Sequence, residues 1–146
     1  MLTIASPPER LTTACENVAV GAQQFVVLLP PTEGKAVGGQ ANSPWKPDSG
    51  SFGTSLGSHR SELTAHLQKS KGGDQKLLGV SGAHLTRAQH ANTHLSNAPS
   101  IPAWQRYTGV VWDHLDLPSL TAAQRNSFVK RIYIPSGLAG LVRADD

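Results

Sequence analysis

The stretch YTGVVWDHLD, Tyr107 to Asp116, gathers a phenol, a hydroxyl, an indole, two carboxylates and an imidazole into one short segment. Imidazole titrates near neutrality and a carboxylate can orient it, so Asp113, His114 and Asp116 are the right types for acid/base chemistry. Adjacent residues do not readily face one substrate, and either Asp suits a turn cap ahead of Pro118. No catalytic residue is assigned on this ground. His90 and His94 lie four apart on a helical pattern and share a face, as zinc-binding pairs do. The residues between them lack the glutamate of H-E-x-x-H, and His84, six positions earlier, points elsewhere on the helix, so no metal site is assigned. In GVSGA, Ala83 stands where the G-x-S-x-G nucleophile elbow needs its last glycine. Ser81 is therefore read as a turn or helix-cap residue.

Two segments carry anion chemistry. PPTEGK (Pro30–Lys35) delivers Thr32, Glu33 and Lys35 to the end of an apolar run, where open α/β folds bind ligands. A glycine beside the lysine lets the backbone approach an anion that the ammonium also attracts. The spacing is not that of a Walker A loop, and a charged turn is the plain alternative. IPSGLAG (Ile134–Gly140) sets two glycines three apart at an expected helix start, where free amides can hold a phosphate. The same glycines loosely match the hairpin of a helix-hairpin-helix, which grips a DNA backbone through N–H groups, but are spaced one residue wider. A tight turn is the alternative there.

These residues need a frame. FVVLLPP (Phe25–Pro31) is a continuous apolar run closed by prolines, which predicts a strand buried on both faces and central in a covered sheet. Ala36–Gly57, rich in Gly, Ser and Pro, predicts a long flexible loop. From Ser58 the pattern turns helical, with Leu63 and Leu67 one turn apart and Gly72-Gly73 as the stop. Lys76–Val80 predicts a second short buried strand. Leu85, Ala88, Ala91, Asn92 and Leu95 form one helical stripe. Pro102–Trp112 begins as a helix and continues with β-branched and aromatic residues. Thr121 and Gln124 have capping-box spacing, predicting a helix over about Ala122–Lys130. Arg131–Pro135 alternates like a strand, and the following SGLAGLVRADD predicts a turn and a helix start. The expected class is mixed α/β (α+β), with buried strands covered by helices.

Composition narrows the class of function. The chain has 146 residues, one domain's worth, with 38% hydrophobic and 16% charged residues, 14 Gly and 10 Pro. Thirteen Lys and Arg against ten acids give a net charge of +3. That surplus is compatible with a phosphate-bearing partner but sparse beside a dedicated DNA-binding tail. Cys15 stands alone, which excludes an intrachain disulfide and a Cys-rich zinc site and fits a reducing cytoplasm. The longest apolar run is strand-sized, so no membrane span is expected. Met1–Gln24 lacks a period of either kind and a signal-peptide pattern, and is read as a disordered or extraneous extension.

Three ordered motifs carry a resemblance. LLPPTEGK near the front, RYTGVVWDHLD (Arg106–Asp116) and IPSGLAGLVRADD (Ile134–Asp146) together resemble the YaaA family of peroxide-stress-response proteins, in its high-GC Gram-positive branch. Ala91-Asn92 also falls where that family has it. Val110 stands where many relatives carry Asp, with Asp113 nearby. The resemblance covers Phe25–Asp146 and implies the N-terminal part of a YaaA-like domain, because family chains continue past this point. An incomplete fold and a truncated reading frame are the corresponding expectations.

The resemblance implies a cytoplasmic bacterial protein that protects against hydrogen peroxide by limiting free iron and oxidative DNA damage, with DNA as a partner. It implies no cofactor and no assigned reaction. Carried over position by position, the nucleic-acid or anion-binding candidates are Lys35, Arg106, Tyr107, Thr108, Gly109, Ser136, Gly137, Gly140 and Arg143. One alternative is an enzyme acting on a nucleotide-like or other anionic metabolite through Glu33, Lys35, Thr108, Asp113 and Ser136. The other is a fragment inactive alone, exposing apolar surface and unpaired strand edges.

Overall fold

The computed structural model describes residues 25–146; the reading of Met1–Gln24 as an extension lies outside the described residues. The sheet is organised on β4 (Ile132–Ser136), which lies between β1 (Val27–Leu28) and β5 (Gly140–Arg143). β1 runs parallel to β4, with Val27 opposite Ile132 and Leu28 opposite Tyr133, whereas β4 and β5 form an antiparallel hairpin. A second small ladder joins β2 (Gln40–Pro44) to β3 (Pro99–Ser100).

The alternation of Arg131–Pro135 has its expected effect. Ile132 and Ile134 point the same way and are wholly buried, while Tyr133 and Pro135 face the other side. Around the two isoleucines pack Trp112, Leu117, Val129, Ala103 and Ala144, with Val27, Leu29 and Tyr107 against the margin. Burying an Ile side chain contributes about 1.5–3 kcal/mol, so β4 anchors the core.

Helices cover this frame. They are α1 (Gly53–Lys69), α2 (Gln75–Leu78), α3 (Gly82–Thr93), α4 (Ala103–Arg106), α5 (Val110–Leu115) and α6 (Ala122–Val129). α6 is the helix the capping box announces: Thr121 accepts from Gln124 N–H and the Gln124 side chain reaches back to Thr121 N–H. α3 carries Leu85, Ala88, Ala91 and Asn92 of the expected stripe, while Leu95 falls in the 3-10 turn that follows. The helix docks by polar contacts, with Gln89 donating to Gly73 O at 2.7 Å and Asn92 to Gly72 O at 2.8 Å.

Several local expectations are corrected. β1 is an edge strand among the described residues rather than a central one, and Phe25, Val26 and Leu28 are exposed. The span Ala36–Gly57 is not loop throughout: it contains β2 and the first turn of α1. Helix α1 starts five residues before Ser58 because Gly53 packs on the Asp48 carbonyl, where a Cβ would sit 1.8 Å from the oxygen. A glycine chosen for that approach reads as a helix breaker. Lys76–Val80 is not a strand; Asp74 caps Leu77 N–H at 2.8 Å and Gly79 closes the turn at φ 68°, making the single turn α2. The segment after Ser136 starts no helix: Gly137–Ala139 form a three-residue hairpin connection, and Gly140 takes φ 70° as it enters β5. Val110–Trp112 is helical, and Trp112 alone of the three is buried.

Arg60 of α1 fastens these pieces. It is only 3% exposed. Its guanidinium donates to Ala139 O (2.9 Å), Leu141 O (3.0 Å), Ser49 O (2.9 Å) and Pro47 O (3.1 Å). A planar fork can hold several carbonyls that a point-charge ammonium cannot. Arg60→Lys should therefore lower unfolding free energy by about 2–4 kcal/mol in a urea titration, despite keeping the charge.

Candidate functional site

Three segments meet at the carboxyl ends of the parallel pair β1 and β4. One is Thr32–Lys35, which follows β1; another is Ser136, the last residue of β4; the third is Tyr107–Gly109, between α4 and α5. Backbone bonds weld the first to the third. Lys35 and Tyr107 form an antiparallel bridge, Thr108 N–H donates to Gly34 O at 3.2 Å, and Ala36 N–H donates to Arg106 O at 2.8 Å. Gly34 suits this approach, since a Cβ there would lie 2.6 Å from Thr108 Oγ1 and displace that hydroxyl.

The side chains follow from that weld. Lys35 Nζ sits 4.3 Å from the centroid of the Tyr107 ring and donates to the Thr32 carbonyl. The other aromatic neighbour of Tyr107 is Trp112, stacked at 5.5 Å between centroids and 18° between planes. Partial burial holds the Lys35 ammonium below its usual range, and the nearby Glu33 carboxylate works the other way. Burial pushes the Tyr107 phenol above its usual range, opposed by a hydrogen bond from Ser136. Ser136 Oγ also accepts from Ala139 N–H at 3.1 Å, so the hairpin turn fixes it. The cluster offers one ammonium, a phenol and the Ser136 and Thr108 hydroxyls, a donor set suited to an anionic oxygen group.

Lys35, Tyr107, Thr108 and Ser136 are thus brought together, with Gly109 beside Thr32 at φ 114°. The remaining candidates lie in other roles. Arg106 donates to three backbone carbonyls, Ala36 at 2.5 Å and both Gly38 and Pro99 at 2.9 Å, which clamps the strand ladder. Arg143 is ion-paired with Asp145. Gly137 and Gly140 belong to a β-hairpin, so the helix N-terminus and helix-hairpin-helix readings of IPSGLAG do not apply to its backbone. Asp113 and His114 are exposed on α5, where His114 Nδ1 lies 2.8 Å from Val110 O. The rings of His90 and His94 stack on each other at 4.1 Å.

Sequence reasoning missed a neighbouring hollow. A cavity of about 290 Å³ is lined by Glu33, Gln75, Gly79, Val80, Ser81 and His84. Glu33 joins it to the Lys35 cluster. Ser81 does occupy the N-cap position of α3, but its side chain makes no capping bond, and His84 accepts from Arg87 at 2.9 Å. The turn chemistry around Gly79 and Ser81 was the available signal; the approach of Glu33 across the chain was not.

A welded loop at the ends of a parallel strand pair, with a lysine over a tyrosine ring, defines an α/β protein with a polar cluster at its strand ends. Comparison with known proteins gives the family. The model of the peroxide stress protein YaaA matches residues 25–146, and the chain belongs to that family. A UPF0246 protein of Streptomyces coelicolor is 38% identical over 126 residues, covering 84% of this chain and 47% of the relative. A UPF0246 protein of Corynebacterium efficiens is 39% identical over 122 residues with the same coverages, 84% and 47%. One from Corynebacterium glutamicum is 34% identical over 123 residues. The chain spans about half the length of these relatives. No solved structure matches it. Among the described residues, no helix is long and apolar enough to cross a membrane.

The lowered Lys35 pKa has a testable consequence. The unfolded chain holds the Lys35 proton up to about pH 10.4 while the folded chain releases it earlier. Lys35 therefore adds stability as pH rises through its folded pKa toward that value. In urea titrations across the alkaline range, Lys35→Met should flatten this rise. An unchanged profile would show that the ammonium is not desolvated.

Proposed function

We propose that this chain serves peroxide-stress protection by holding a phosphate group at the Lys35–Tyr107–Ser136 cluster, and that in the whole protein the phosphate belongs to DNA. The observation that carries the reading is the Lys35 ammonium over the Tyr107 ring, whose phenol bonds Ser136, at the end of a parallel strand pair. A cation drawn partly out of water attracts an anion more strongly than one in bulk solvent. The net charge of +3 adds a weak long-range attraction for polyanions. With Arg106 and Arg143 engaged inside the chain, the other duplex contacts in this reading run through exposed lysines such as Lys69, Lys71 and Lys76. Limiting oxidative damage is then the outcome of occupying DNA under peroxide stress.

A second reading is an enzyme acting on a nucleotide-like or other anionic small molecule. The adjoining cavity of about 290 Å³ favours it, being close to the lower size of small-ligand sites. Glu33, which lines that cavity and acts on the Lys35 ammonium, would be its acid/base partner.

Binding measured on this chain and on the full-length Streptomyces coelicolor relative separates the two. Fluorescence anisotropy with a labelled duplex should give a log affinity that falls linearly with log salt. Lys35→Ala should reduce the slope by about 0.9, the loss of one phosphate contact. Calorimetric binding of a nucleoside monophosphate with no duplex binding would select the second reading. Absence of both would end the phosphate assignment.

A further inference from the structure

The outer edge of β1 is the most exposed apolar feature of the sheet. Val27 and Leu29 turn their N–H groups to β4, donating to Arg131 O at 2.8 Å and Tyr133 O at 2.9 Å. Strand alternation then turns the N–H and C=O groups of Val26 and Leu28 outward, and among the described residues no strand pairs with them. The side chains there are also uncovered: Phe25 is 51% exposed, Val26 65% and Leu28 66%.

An open edge of this kind pairs readily with another strand, and soluble proteins usually blunt it with charge, proline or a covering element. Here Pro30 ends the run but leaves Val26 and Leu28 free to pair. A groove of about 460 Å³ lies beside the same strand, lined by Phe25, Ala123, Phe128 and Arg131 with the polar Gln124 and Ser127. Arg131 is its one charged residue and sits over the Phe25 ring at 4.9 Å. The site therefore asks for an extended backbone on the edge, an apolar side chain in the groove, and an acidic group near Arg131.

The relatives suggest the source. Their matched portion is 47% of their length, so a comparable mass of polypeptide lies outside it. We infer that the β1 edge receives a β-strand from the part of the family's polypeptide outside the matched stretch, whether joined to this chain or supplied separately. The three-stranded sheet then becomes a wider one with β1 inside it. The backbone fixes the kind of occupant, and the relatives' length supplies one.

The test mixes this 146-residue chain with a separately produced polypeptide comprising the rest of the Streptomyces coelicolor relative. Sedimentation should show a one-to-one complex, and amide exchange at Val26 and Leu28 should slow by roughly 100-fold. Leu28→Lys should abolish the complex, whereas Val110→Lys, at an equally exposed apolar position on α5, should leave it intact. Protection of Val26 and Leu28 in the unmixed chain would overturn the inference. It would assign the edge to residues 1–24 if independent of concentration, or to a second copy if dependent on it. A second measurement covers the case in which the separate piece does not fold. In the full-length relative, amides at the positions aligned with Val26 and Leu28 must be protected, and fast exchange there overturns the inference.

Discussion

A single buried guanidinium holds the architecture in register. Arg60 takes carbonyls from two places, the connection ahead of α1 and the β4–β5 turn with the start of β5, and binds them to one helix. Among the described residues no carboxylate pairs with it; its charge is met by carbonyl dipoles and shielded from water. Removing one member of such an arrangement leaves several buried acceptors unsatisfied at once. The hairpin turn is the dependent part. Because Ala139 bonds to Ser136, fixing the turn also fixes the hydroxyl that faces Tyr107. The helix that carries Arg60 thus holds the candidate site from behind.

The site itself is assembled by backbone, and its side chains follow. Gly34 and Thr108 meet so closely that a Cβ at position 34 would push the Thr108 hydroxyl aside, and the bridge between Lys35 and Tyr107 sets the ammonium over the ring. Trp112, from the first turn of α5, stacks on the same phenol ring. This explains why the segment Tyr107–Asp116 looked half core and half loop. Its front is a bonded strand segment, its middle is a short helix contributing one buried indole, and its carboxylates lie outside.

Legibility in the sequence followed the range of the forces involved. Features written locally could be read: the Thr121–Gln124 capping box, the alternation of β4, the polar-apolar stripe of α3. Short apolar runs were ambiguous because local context and tertiary context disagree over so few residues; Lys76–Val80 became a helical turn through the Asp74 cap and Gly79. The IPSGLAG glycines were legible as a turn but not as a hairpin, since nothing nearby announces β5 as a partner for β4. Of the site, the resemblance offered nine residues, and of these the structure brings Lys35, Tyr107, Thr108 and Ser136 together. Their sequence chemistry gave no sign that Arg106 and Arg143 would be spent on carbonyls and on Asp145. Arg60 was invisible for the same reason: two of its acceptors lie 79 and 81 residues away.

The parallel pairing of β1 with β4 has a consequence in time. During synthesis β1 leaves the ribosome first, and its partner Ile132 follows more than a hundred residues later. At typical elongation rates that interval is roughly 5–20 s. For that period Val26, Val27 and Leu28 have no β4 against which to pair, and Lys35 has no Tyr107 beneath it. The helices α1 and α3 can form early, but the candidate site cannot exist until Ser136 has been made. Binding at that site would therefore report a chain grown past β4, and until then the newborn β1 segment is a stretch for a chaperone to cover.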